Sequence, residues 1–182
     1  MSDLDDKTLS VFLTENIRQA LARHEVEVSN SAQQYLIGML ERQFAEAVQA
    51  GREPITFQYK RILEETYELR RKHLTQQLGD HCLFLVGYFY DFVRKAGKGQ
   101  VEYHTQIGST AYQEAGKYPF AELSEKFTDL YLVIGDLHLP NLGEEKIIDL
   151  YQKWLETGDR YYESLLLGKG IVPQRIVDKN GN

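Results

Sequence analysis

Only four prolines, at positions 54, 119, 140 and 173, interrupt this chain of 182 residues. Proline both removes a backbone donor and clashes with the preceding helical turn, so its scarcity permits long helices almost everywhere. Apolar residues recur at helical spacing through most of the sequence. The spacing predicts a first helix from about 7 to 24, with Leu9, Phe12, Leu13, Ile17, Ala20 and Leu21 as its apolar stripe and Asp5 or Asp6 as its cap. Residues 25–28, Glu-Val-Glu-Val, read as an extended connector. Ser29 or Ser31 starts a second helix to about Ala50, where Gly51 ends it; Tyr35, Leu36, Met39, Leu40, Phe44, Ala47 and Val48 face inward.

From about Phe57 to Ala96 the pattern stays helical, first charged and then nearly all apolar from Leu78 to Val93. A helix apolar on all sides is buried on several sides. The change at Gly79 predicts one long helix bent there, or two abutting ones. Gly97-Lys98-Gly99 is a stop and turn. A fourth helix follows from about 100 to 115, closed by Gly116; Pro119 opens a fifth to about Leu137. Leu139-Pro140-Asn141-Leu142-Gly143 is a loop, and the last helix runs from about 144 to 167. Its stripe of Ile147, Tyr151, Trp154 and Leu155 makes Trp154 a core anchor. The expected fold is all-α: an antiparallel array of about six helices forming one globular domain over residues 1–173, with residues 174–182 a loose tail.

Composition narrows the function classes. A formal charge of −6 and a pI near 5.4 disfavour nucleic acid and anionic membranes as partners, since both require a cationic face. The most apolar run, Cys82 to Tyr90, is too short to span a bilayer. An acidic N-terminal stretch, unlike the basic start of a signal peptide, and a lone cysteine favour the cytoplasm. Cys82 shares a helix face with Leu78, Leu85 and Phe89, which predicts a buried, unreactive thiol.

Two stretches carry a resemblance. Ala111-Tyr112, Gly116, Tyr118 and Ala121 are spaced like the helix–turn–helix of a tetratricopeptide repeat, with a fainter echo at Trp154, Gly158-Asp159 and Tyr161. Leu78-Gly79-Asp80, Cys82-Leu83-Phe84 and Gly87, followed by Tyr103, Gly108, Ala111-Tyr112 and Phe127, resemble a family of uncharacterised bacterial all-helical proteins. That resemblance implies the fold and no catalytic residue.

No catalytic motif is present. Neither a nucleophile elbow nor a phosphate-binding glycine loop occurs, and the chain carries no cofactor signature. Among the histidines, none lies three residues after a glutamate and no two are four apart, so the di-iron and zinc-protease patterns are missing. Asp80-His81, Glu102 with His104, and Asp136 with His138 are the nearest approach to a metal set, but neighbours one or two apart on a helix point in different directions. Tyrosine is abundant, 12 residues, and suits boundaries and interfaces because its large apolar body carries a hydroxyl. The first expectation is therefore a non-enzymatic helical interaction module that binds a protein partner or forms a homo-oligomer through an aromatic surface. The second is a small-ligand- or metal-binding enzyme or sensor with a pocket near Asp80, His81, Tyr103, His104 and Tyr112. Tyr88 joins these as a further contact candidate. An antiparallel hairpin about Gly97-Lys98-Gly99 would set Gly87 opposite Gly108 and bring Asp91 within hydrogen-bonding reach of His104.

Overall fold

In the computed structural model, residues 2–47 and 53–175 are described, and all regular structure among them is helical. The elements are α1 (Ser2–Arg23), α2 (Asn30–Ala47), α3 (Ile55–Glu64), α4 (Glu68–Tyr88), α5 (Tyr90–Lys95), α6 (Gln100–Ala115), α7 (Phe120–Glu125) and α8 (Phe127–Gly135). A 3-10 helix (Asp136–Asn141), α9 (Glu144–Thr157) and α10 (Arg160–Gly168) complete the chain. Among the described residues no helix is long and apolar enough to cross a membrane.

The apolar half of α4 is the centre of the main core. Leu78 to Phe84, with Val86 and Gly87, are buried on all sides, where α4 packs along α6 and against α8 and α2. The predicted stripes of the first two helices close this core: Leu13, Ile17 and Ala20 from α1, and Leu36, Met39 and Leu40 from α2, are all buried. A smaller core joins the C-terminal helices to α5 and α8, with Trp154 (7 % exposed), Tyr161, Tyr162 and Leu166 at its heart.

Several predicted helices are subdivided. The stretch from 57 to 96 breaks at Glu65–Tyr67 and at Phe89, not at Gly79. Glu65 and Tyr67 are extended, and the Glu65 carboxylate accepts from the Tyr67 amide at 3.0 Å and pairs with Arg70 at 3.2 Å, so a side chain takes over the start of α4. Gly79 instead lies within α4 where the Tyr112 ring seats; a Cβ there would stand 2.6 Å from the ring. The last helix is likewise two, because Gly158 turns left-handed (φ 66°) and Asp159 caps α10 by accepting from the Tyr161 amide at 3.1 Å. A break at Lys126 separates α7 from α8, and the loop after α8 begins as the 3-10 turn.

Capping differs from expectation at the N-terminus, where α1 starts at Ser2, so Asp5 and Asp6 lie inside it rather than at its cap. Ser29 does begin α2, with its hydroxyl accepting from the Ala32 amide at 3.1 Å. The end of that helix at Ala50 and Gly51, and Val48, lie outside the described residues, as do residues 176–182. The first tail residues are tied down: the Tyr151 hydroxyl donates to the Gln174 carbonyl at 3.0 Å, and Arg175 sits 5.7 Å over the Trp154 ring.

The hairpin register is shifted by about a turn from the one predicted. Cys82 faces Gly108 and Gly79 faces Tyr112, so α4 and α6 run antiparallel with facing numbers four or five lower in sum. Gly87 meets Ile134 of α8 instead of Gly108. Phe89 leaves the helical backbone (φ −108°, ψ 35°), so α5 is a separate helix from α4. Asp91 consequently faces the C-terminal helices, accepting from Lys153 Nζ at 2.7 Å and the Tyr162 hydroxyl at 2.6 Å. His104 has its own partner, and Asp91 is not it: Nδ1 donates to the Gln100 carbonyl one turn back at 2.6 Å.

Cys82 is fully buried, and burial pushes its thiol well above the ordinary range. Native protein is therefore expected to react with a maleimide only as fast as it opens globally; labelling within minutes at neutral pH would contradict that placement.

Candidate functional site

The short helix α3 separates two clefts and lines both. Its ten residues bury only Ile55 and Ile62. One side of α3 turns Gln58 and Arg61 toward α2 and α4; another turns Thr56 and Tyr59 toward α6.

The polar cleft lies between α2, α3 and α4 and encloses about 750 Å³. Asp80 forms its floor, 4 % exposed in the middle of α4. The Tyr35 hydroxyl donates to both carboxylate oxygens, at 2.9 and 3.0 Å. The Tyr112 hydroxyl, fully buried, donates to Oδ1 at 2.8 Å, and Arg42 approaches Oδ2 at 3.4 Å. One carboxylate thus ties α2 and α6 to α4. Burial pushes the Asp80 carboxyl up, while hydrogen bonds from Tyr112 and Tyr35 and the Arg42 charge draw it part of the way back. Burial and the Asp80 charge raise both tyrosines, so they remain neutral donors. His81, 8 % exposed, lines the same cleft.

The apolar cleft encloses about 400 Å³ between α3, α4 and α6. Leu78 and Ala111 form its floor, and Tyr59 and Tyr103 stand on its rims, 49 % and 44 % exposed. The segment that carries Tyr59 is rich in exposed apolar side chains. Of the fourteen large apolar side chains exposed among the described residues, five fall between 57 and 69: Phe57, Tyr59, Leu63, Tyr67 and Leu69. Single exposed apolar residues are ordinary; a concentration of this kind marks a contact surface.

The predicted site residues therefore divide. Asp80, His81 and Tyr112 come together at the polar cleft. Tyr103 belongs to the apolar one, and His104 is spent on its own helix. Tyr88, at the C-terminal end of α4, stacks on His138 with centroids 4.4 Å apart, and its carbonyl accepts from His138 Nε2 at 2.8 Å. The three acid–histidine groupings go to separate partners, and no group of three or more His, Cys, Asp or Glu among the described residues is placed to hold a metal ion. Sequence reasoning missed Arg42, Gln43 and Glu46 as cleft residues. Their signal was legible: Tyr35, Arg42 and Glu46 are seven and four apart on α2, hence on one face.

A second buried carboxylate resembles catalytic geometry without achieving it. Asp136 Oδ2 lies 2.8 Å from Arg23 and 3.3 Å from His24 Nε2, and the same Nε2 lies 3.4 Å from Ser164 Oγ. A serine–histidine–aspartate relay needs opposite ring nitrogens, one for each partner. Sharing one nitrogen leaves a structural ion pair that ties α1 to the 3-10 helix.

No known protein family, curated protein or solved structure matches the chain.

Proposed function

We propose that the chain is a non-enzymatic helical interaction module of the cytoplasm, a six-helix antiparallel array in essence, whose partner is a second copy of itself. The observation that carries this reading is the set of exposed apolar side chains between Phe57 and Leu69, of which Tyr59 stands on the rim of the cleft it shares with Tyr103. An isologous dimer needs projection and recess on one surface, so that each subunit fills the other. Leu63, 70 % exposed, follows Tyr59 by one turn on α3 and is the projection; the 400 Å³ cleft beside it is the recess. Tyrosines at the rim supply contact area at low entropic cost, as interface anchors do.

Sedimentation equilibrium at high micromolar concentration is expected to give a dimer. Leu63→Asp and Tyr103→Asp, both at exposed positions, are expected to give monomers with unchanged helical circular dichroism. A wild-type chain that sediments as a monomer at every concentration would remove the second copy as the occupant.

A further inference from the structure

We propose that the polar cleft between α2, α3 and α4 is a binding site for a small zwitterion, of the class of free amino acids with uncharged side chains. Its volume, about 750 Å³, is that of a small-molecule site. The class of ligand follows from which charges the protein leaves uncommitted.

Arg42 is the available cation. Its guanidinium makes one long contact, 3.4 Å to Asp80, and lies 5.6 Å over the Tyr35 ring, with the side chain 54 % exposed. Asp80 does not depend on it, because Tyr35 and Tyr112 already donate to both carboxylate oxygens at 2.8 to 3.0 Å. The guanidinium is therefore free to turn its paired donors to a ligand carboxylate. Glu46 is the available anion. Its carboxylate has a Gln43 amide at 3.5 Å and no ion-pair partner among the described residues. Arg42 and Glu46 are one turn apart on the same face of α2, about 5–6 Å between their Cβ atoms. That spacing lets a carboxylate and an ammonium on adjacent atoms of one ligand meet both.

Of the remaining walls, the glutamines are neutral and Arg61 is paired, and His73 and His81 are the further basic side chains. Arg61 is paired with Glu53 at 3.0 Å, so of the two guanidiniums in the lining Arg42, with its one long contact to Asp80, is the less tightly held toward a dicarboxylate or phosphate. Gln76 and Gln77 of α4 present primary amides, which match hydrogen-bonding groups and not charges. The site uses other residues of α3 than the apolar cleft does, so it stands or falls independently of dimer formation.

Titration calorimetry on the full chain tests this, using free amino acids with uncharged side chains singly, and succinate and 1,4-diaminobutane as single-charge-type controls. At least one amino acid is expected to bind and the two controls not to. Arg42→Gln and Glu46→Gln are each expected to weaken that binding about tenfold or more with unchanged helicity. Failure of every amino acid to bind at millimolar concentration overturns the proposal, as does equal binding of succinate or diaminobutane, or full affinity in both variants. Repeating the titration on Leu63→Asp, which leaves the cleft intact, is expected to give the same affinity; a loss there would tie the site to the dimer and overturn their independence.

Discussion

Replacing Asp80 with alanine is expected to lower the unfolding free energy by about 3 kcal/mol, whereas asparagine at the same position costs less than about 1 kcal/mol. The difference lies in the tyrosines. Tyr112 is fully buried and its hydroxyl has Asp80 Oδ1 as acceptor at 2.8 Å. With alanine that hydroxyl is left unsatisfied, which alone costs about 1–3 kcal/mol, and a void opens between α2, α4 and α6. Tyr35 loses the same acceptor at the edge of the cleft. Asparagine keeps an acceptor for one tyrosine, and its amide donates to the oxygen of the other. Urea unfolding followed by circular dichroism decides the matter; equal losses for the two variants would show that charge, not hydrogen bonding, is what Asp80 contributes.

The same pair of proteins gives a pH signature. The Asp80 carboxyl is raised by burial, so the folded state holds its proton more tightly than the unfolded chain does. Its contribution is then fully present below the ordinary carboxylate value and is lost as pH rises through the raised one. Asparagine cannot ionise. The stability of wild type relative to Asp80→Asn should therefore fall as pH rises from the ordinary carboxylate value through the raised one, while the titrations of groups remote from Asp80 cancel in the difference.

What the sequence disclosed and what it hid follow from range. The stripes of α1 and α2 are local patterns, and Leu13, Ile17, Leu36 and Met39 are buried as their spacing predicts. The breaks at Glu65–Tyr67 and Phe89 contain neither glycine nor proline, so no local signal marks them. Phe89 breaks the helix where tertiary contacts reward it: Tyr88 stacks on His138, and Tyr90 stacks on Tyr161 with ring centroids 3.9 Å apart. Asp80, His81 and Tyr112 were recognisable as a polar group in an apolar stretch, but Tyr35, the other donor to that carboxylate, lies 45 residues away. Its partnership depends on helix packing that spacing cannot express. Asp91 and His104 failed for the opposite reason: each had a nearer or better partner, a carbonyl one turn back for His104 and a lysine for Asp91.

Glycine within a helix is ordinarily a cost, and here two helical glycines are expected to respond to alanine with opposite signs. Gly38 lies in α2, where the nearest atom to an added Cβ is the flexible Arg42 guanidinium at 3.5 Å. Gly38→Ala should stabilise by about 0.5–1 kcal/mol, since alanine gives up less backbone entropy on folding and meets nothing. Gly108 lies in α6 against α4 and α8, and its added Cβ would run into the Phe127 ring and stand 2.7 Å from Cys82 Cβ. Both neighbours are buried, and the Cβ of Cys82 is fixed to the α4 backbone, so relief requires α6 to move away from α4. Overpacking of this kind costs about 1–3 kcal/mol, and the upper end applies where a helix rather than a side chain must shift. Gly108→Ala is thus expected to lose about 3 kcal/mol, and Cys82→Ala in the same background, which leaves the Cβ in place, should restore little of it. Thermal unfolding of the three variants reads the result directly. A Gly108→Ala protein as stable as wild type would mean that α4 and α6 are farther apart than this register places them, and with it the seat of Tyr112 on Gly79 and the floor of the polar cleft would be lost.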